Sequence, residues 1–220
     1  MALRVYSENR DRGRVPIVLH NLGTLAQVMG DFSLADDRYN LALFTFAEID
    51  DLAGFSTGYH NLGTLAQMVG EYAVAEDRYR VALNYYAKLN DPIGLAGIHA
   101  NLAGLDHLQK RFDQAERHYL ESYSLLANRG DIPSAATVGS NIGALWTARG
   151  KVSEAVAWSL RSLADRLRLS LPESSTDLYW LCRQREALGG RRFLDEVRRV
   201  LPKDDISRFL YALGASADAD

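Results

Sequence analysis

The chain repeats itself every 40 residues, and that period admits few folds. Residues 20–39 read HNLGTLAQVMGDFSLADDRY and residues 60–79 read HNLGTLAQMVGEYAVAEDRY, with thirteen of the twenty positions identical. The offset continues without insertion into 100–119, ANLAGLDHLQKRFDQAERHY, and 140–159, SNIGALWTARGKVSEAVAWS. A fixed period of this length marks stacked supersecondary units, none of which buries its apolar face alone.

Each unit divides into two helices, here A and B. Asp51 is a good N-cap for helix A of the second unit, because its carboxylate accepts otherwise unpaired amide hydrogens. Asp91 and Asp131 stand at the same phase, and Asp11 near it. Gly30, Gly70 and Gly150 end helix A, where the following residue often takes a positive φ. Lys110 stands at that point in the third unit. In helix B, Ala75, Tyr79, Ala82 and Leu83 follow a helical stripe. No segment alternates like a strand. The expected pairs are 14–29/33–49, 52–69/73–89, 93–109/113–128 and 133–149/153–169.

Small residues mark close helix crossings. Gly23, Gly63, Ala103 and Gly143 share a phase in helix A; Ala35, Ala75, Ala115 and Ala155 share one in helix B. Larger side chains there would force the axes beyond the usual 8–10 Å. The tightest contact is expected between Gly63 and the Ala75 region. Tyr39, Tyr79 and Tyr119 follow one turn later, with Ser159 in the fourth unit.

The pattern N-L-G-x-L…G-[DE]-[FY]-x-x-A-x-x-x-Y-x-x-A-L resembles the tetratricopeptide repeat. Residues 21–43 and 61–83 carry it almost whole, 101–123 less fully, and 141–163 least. The common form has 34 residues and a proline closing helix B; here the period is 40 and that proline is absent. This variant is similar to the repeats of kinesin light chain and of bacterial signalling ATPases and transcription regulators. The resemblance covers about residues 2–200. It implies an all-α, right-handed superhelical solenoid of antiparallel helix pairs that binds protein or peptide.

The expected organisation is one solenoid over 1–213. A half repeat at 2–11 aligns with 42–51, and repeats follow at about 12–50, 51–90, 91–130 and 131–170. A degenerate closing repeat occupies 174–201, with Gly189 and Gly190 at its turn. There Leu181 and Asp195 stand where the motif has Asn and Ala. A capping helix at 204–213 and a frayed tail at 214–220 complete it. The orphan helix Ala2–Asn9, with Leu3 and Tyr6, leaves an apolar N-terminal face suited to a homo-oligomer or to an upstream extension of a larger protein.

Composition narrows the function. A net charge of −3 argues against a general nucleic-acid binder. No run reaches the ~18 apolar residues of a membrane helix. Charges arrive before any signal-peptide core could form, and a lone cysteine, Cys182, fits a reducing compartment, so the expected location is cytoplasmic. Cys182 itself reads as a small hydrophobe in a helix.

Signals for catalysis are weak. Gly143, Gly150 and Lys151 are spaced wrongly for a phosphate loop, and Val152 stands where Ser or Thr is needed. His20, His60, His99, His107 and His118 have no metal-ligand spacing, so neither metal nor cofactor is expected, and the chain is not read as an enzyme. The carboxylates read as scattered and solvated. Arg183, Arg185, Arg191, Arg192, Arg198 and Arg199, interleaved with Glu186, Asp195 and Glu196, read as a solvated face with local ion pairs. Docking of an acidic partner is the other reading.

One constellation stands out. Asn21, Asn61, Asn101 and Asn141 occupy one phase in all four units, although Asn is a mediocre helix-interior residue. Their same-face neighbours are mostly small or polar: Ile17, Thr57, Gly97 and Thr137 before them, then Thr24, Thr64, Gly104 and Ala144. In the proteins that this chain resembles, helix A lines the concave groove and Asn at this phase holds a bound peptide's backbone. A carboxamide offers both a donor and an acceptor. The expected peptide-binding residues are Asn21, Asn61, Asn101 and Asn141, with His20, His60, Thr24, Thr64, Gln27 and Gln67 between the rungs. Below about pH 6.5 the two histidines would add positive charge. Two readings stay open: a peptide ladder, or ties from each helix A to its neighbouring repeat. The corresponding functions are a regulatory or signalling scaffold binding an extended segment, and an oligomerisation or autoregulatory module filled by its own protein.

Overall fold

The computed structural model describes residues 13–171 and 174–212, and within them the chain is all-α. Helices run α1 (Arg14–Val28), α2 (Phe32–Glu48), α3 (Leu52–Met68), α4 (Tyr72–Lys88), α5 (Pro92–Leu108), α6 (Phe112–Arg129), α7 (Ile132–Ala148), α8 (Val152–Arg168), α9 (Ser174–Leu188), α10 (Gly190–Val200) and α11 (Lys203–Ala212). From α1 to α8 every end lies within one residue of its expected position. The half repeat at 2–11, the orphan-helix residues Leu3 and Tyr6, Asp11 and the tail 214–220 lie outside the described residues.

The turns explain the regularity. Gly30, Asp50, Gly70, Asn90, Lys110, Gly130, Gly150 and Ser170 all have positive φ, from 52° to 85°, and they recur every twenty residues. After each, an amide reaches back five residues to a helix carbonyl. Asp31 N donates to Ala26 O at 2.9 Å, Glu71 N to Ala66 O at 2.8 Å, and Arg111 N to Asp106 O at 2.8 Å. This is the Schellman closure, which pairs carbonyls that a helix end leaves bare. Asp31, Asp51 and Asp131 then cap the following helices by accepting from Leu34 N, Gly54 N and Ser134 N at 3.1, 2.9 and 3.2 Å. Asp91 accepts from Ile93 N and Gly94 N at 3.0 and 3.2 Å. The glycine spacing marks only the A–B turns; Asp50, Asn90, Gly130 and Ser170, at the ends of the B helices, take the same geometry.

The chain divides into two compact units, Met1–Leu105 and Asp106–Asp220. In the first, α1 packs on α2, α2 on α3 and α3 on α4, and α1 also meets α3 directly. Its core includes Tyr39 and Leu43 against Leu62 and Leu65, then Tyr79 and Tyr86 against Ile98, Leu102 and Leu105. In the second, α6 packs on α7, and α8 packs on α7, α9 and α10. Val156, Leu160 and Leu163 there meet Leu181, Phe193, Val197 and Phe209.

Ala35, Ala75, Ala115 and Ala155 are all fully buried at 0 % exposure. The neighbour of Gly63, however, is the ring of Tyr79 and not the Ala75 region. A Cβ on Gly63 would lie 2.6 Å from Tyr79 Cδ1, and one on Gly23 would lie 2.7 Å from Tyr39 Cδ1. The tyrosine lies flat on the space that glycine vacates, so these two phases are one device. In the fourth repeat the smaller Ser159 takes this place, its Oγ 2.6 Å from where a Cβ on Gly143 would lie, and Gln184 of α9 donates to Ser159 Oγ at 2.9 Å and to Thr147 Oγ1 at 3.0 Å.

Candidate functional site

In the first unit the A helices are α1, α3 and α5. Their shared face carries most of the polar residues singled out above, and the structure joins these residues to one another. Asn61 Nδ2 lies 3.0 Å from His20 Nε2, and Asn101 Nδ2 lies 2.8 Å from His60 Nε2. Each carboxamide therefore reaches the imidazole one repeat earlier. The amide nitrogen is a donor, so the ring accepts at Nε2 and carries its proton on Nδ1. Burial pushes both imidazoles below their ordinary value of 6.5, which keeps them neutral and able to accept. The rings also pack against the repeat tyrosines, His20 on Tyr39 with centroids 5.5 Å apart and His60 on Tyr79 at 6.2 Å.

The remaining polar residues satisfy those tyrosines. Tyr39 donates its hydroxyl to Gln27 Oε1 at 2.8 Å and also lies 3.2 Å from Thr24 Oγ1. Tyr79 repeats the arrangement with Gln67 Oε1 at 2.9 Å and Thr64 Oγ1 at 3.3 Å. Thr24 and Thr64 turn their own hydroxyls back to the carbonyls of His20 and His60 at 3.2 Å. Gln27 Nε2 reaches Met68 Sδ of the next repeat at 3.2 Å.

Four equivalent, free carboxamide rungs are therefore not what the structure holds. Asn61 and Asn101 are half-buried ties between successive A helices, whereas Asn21 and Asn141 are exposed. The physical reason is the residue before each Asn: His20 and His60 supply an acceptor one repeat back, and position 100 is Ala. The expected charging of the histidines just below pH 6.5 is likewise displaced to lower pH by burial. Even so, Thr57, Asn61, Thr64, Gly97, Ala100, Asn101 and Gly104 all remain half-exposed on this face.

Several other sequence expectations meet the structure in the second unit. The carboxylates are not all solvated. Asp106 is 4 % exposed and is bound by Arg111 at 2.6 Å, with His118 Nε2 at 3.8 Å. Asp177 is fully buried, with Arg166 Nε 2.9 Å away. Both stand where the motif has drifted, so no pattern announced them. Burial raises the Asp177 carboxyl above its usual range, while Ser140, Arg166 and Ser162 counteract that rise. Cys182 lies in α9 but is exposed, so it is not a buried small hydrophobe. The C-terminal arginines are partly paired within α10, Arg198 with Asp195 at 3.5 Å and Arg199 with Glu196 at 2.8 Å. Gly143 and Gly150 fall within α7 and at its end, with no loop between them to hold a phosphate. Among the described residues no group of three or more His, Cys, Asp or Glu could hold a metal ion. No helix among them is long and apolar enough to cross a membrane.

Solved structures share this fold. BtubC (BKLC) from P. vanneervenii is similar over 99 % of this chain and 88 % of its own, with a TM-score of 0.75 and 23 % identity. A Podosopora anserina protein with nearly identical TPR-like repeats of the kinesin light chain kind is similar over 86 % of this chain and 95 % of its own, at a TM-score of 0.67 and 18 % identity. PilF of Pseudomonas aeruginosa is similar over 91 % of this chain and 86 % of its own, at a TM-score of 0.60 and 20 % identity. No protein-family model and no curated protein matches the chain. The fold is a tetratricopeptide-type helical repeat.

Proposed function

We propose that this chain is a non-catalytic scaffold holding an extended polypeptide segment along the A-helix face of its N-terminal unit. The supporting observation is that this face is built from small and polar residues and stays half-exposed between tightly packed neighbours. Such a surface suits a main chain better than a large apolar side chain, because it offers hydrogen-bonding groups and room for close approach. The His–Asn ties take Asn61 and Asn101 out of a free ladder, so in this reading the carboxamides act only with the hydrogen-bonding capacity that the ties leave. The contact with His60 uses one N–H of Asn101 and leaves its second N–H and Oδ1 as capacity for a ligand, on a side chain already held in place. Preorganisation of that kind lowers the entropy lost on binding. Role and setting are part of the same proposal: a cytoplasmic chain within a regulatory or signalling assembly.

The test is selection from a random peptide library displayed on phage, followed by NMR titration of a synthetic binder. The expected shift changes cluster at Thr57, Asn61, Thr64, Gly97 and Asn101. A library yielding no binders, or binders whose shifts avoid these residues, would overturn the proposal.

A further inference from the structure

Large apolar side chains stand in water along the A–B turns of the N-terminal unit. Val28 is 81 % exposed, Met29 75 %, Met68 52 % and Val69 45 %. The fold does not require them. At the phase of Met29 and Val69 the later repeats have Gln109 and Arg149, and at the phase of Leu34 and Val74 they have Gln114 and Glu154. The third repeat keeps an exposed Leu108 at the phase of Val28 and Met68, but at the phases of Met29 and Leu34 the surface is apolar only in the first two repeats, and such a patch marks an interaction site.

A groove of about 360 Å³ opens beside this rim. Buried Leu62, Leu65 and Ala66 form its floor, and Val69 and Val74 stand along it. Asp36 and Glu71 supply negative charge at its edge, and both are exposed. The arginine of the lining, Arg78, is held with Cζ 5.5 Å from the Tyr59 ring. The surroundings reinforce the sign: over residues 13–105 acidic residues outnumber basic ones ten to five. The third repeat has Asp106 and Arg111 at the phases of Ala66 and Glu71, and these two bind each other at 2.6 Å.

We propose that this groove and its rim dock a partner segment whose apolar residues are flanked by lysine or arginine. The apolar anchors fill the groove against Leu62, Leu65, Val69 and Val74, and the exposed Met29 and Met68 of the rim adapt to the segment beyond it. Asp36 and Glu71 select and steer the flanking cations. The surface is separate from the A-helix face and does not depend on a peptide binding there.

The test uses the full chain and two synthetic peptides of about twelve residues. Both carry the same leucine–phenylalanine core, one flanked by lysines and the other by glutamates. Fluorescence anisotropy should show the lysine peptide binding about tenfold tighter, with a preference that shrinks as salt rises. Asp36→Lys with Glu71→Lys should reverse the order. Asp36→Asn with Glu71→Gln should abolish the preference, and it serves as the readout if circular dichroism shows the reversed variant unfolded. Val74→Gln, which borrows the third repeat's residue, should weaken the lysine peptide. Ala100→Arg on the A-helix face should leave it unchanged. Equal binding of both peptides, or a lysine preference surviving charge reversal, overturns the proposal. So does self-association in sedimentation velocity that Val74→Gln removes, since a second copy would then be the occupant.

Discussion

Single residues carry sharp tests because each turn and each crossing is one of a series. Lys110 sits at φ 61° where three of its counterparts are glycine. An L side chain in that region strains against its own carbonyl by about 1–2 kcal/mol, and glycine relieves this at some cost in unfolded-state entropy. Lys110→Gly should therefore stabilise the chain by up to about 1 kcal/mol, read as a higher urea midpoint at constant slope. A midpoint no higher than the parent's would mean the turn tolerates lysine. Gly63 argues the opposite way. Alanine is the better helix former by about 1 kcal/mol, but its Cβ would fall 2.6 Å from the buried Tyr79 ring. Overpacking of that kind costs roughly 1–3 kcal/mol, so Gly63→Ala should be a net loss in the same urea assay. An unchanged or raised midpoint would show that the ring yields freely.

Between elements, the imidazole–carboxamide ties make the contact of successive A helices depend on pH. His60 is lowered in the folded chain by burial, so its folded value lies below the unfolded value near 6.5. Above pH 6.5 both states are neutral and stability does not change on this account. As pH falls below 6.5 the unfolded chain gains the proton first, so stability is lost until the folded value is reached. Protonation also removes the Nε2 acceptor that Asn101 uses. His60→Gln keeps a polar partner without the titration. The parent should lose more urea stability between about pH 7.5 and about pH 5.5 than this variant does. Equal losses would mean that burial does not hold the folded His60 below its unfolded value, and a smaller loss in the parent would mean that the ring is charged in the folded chain.

Over the whole molecule, the repeat made the fold legible long before the site. A 40-residue offset carries Gly23 to Gly63 and Ala35 to Ala75, and spacing alone then fixes helix bounds and the small-residue faces. Phase tells which face a residue occupies, not which of two polar groups on that face satisfies the other. Asn61 and His20 share a face, so periodicity could not decide between a free rung and a tie. Drift hides more: Asp106 and Asp177 stand at positions that are apolar or neutral elsewhere in the series, and only packing brings them Arg111 and Arg166. Glycine spacing likewise marked only some turns, because Asp50, Asn90 and Ser170 meet the same left-handed requirement without it.

The half-exposed A-helix face of the first unit is proposed to hold a polypeptide, and Ala100 is the place to test it. This residue lies on that face beside Asn101, at the phase of His20 and His60, and is half-exposed. An arginine there projects into the proposed path of the ligand without removing a tie that holds the helices. Isothermal titration calorimetry of a library-selected peptide against the parent and Ala100→Arg, with melting temperatures measured alongside, is the direct measurement. The predicted result is a binding isotherm for the parent and none for the variant, at closely similar melting temperatures. Equal affinity for both proteins would contradict the claim.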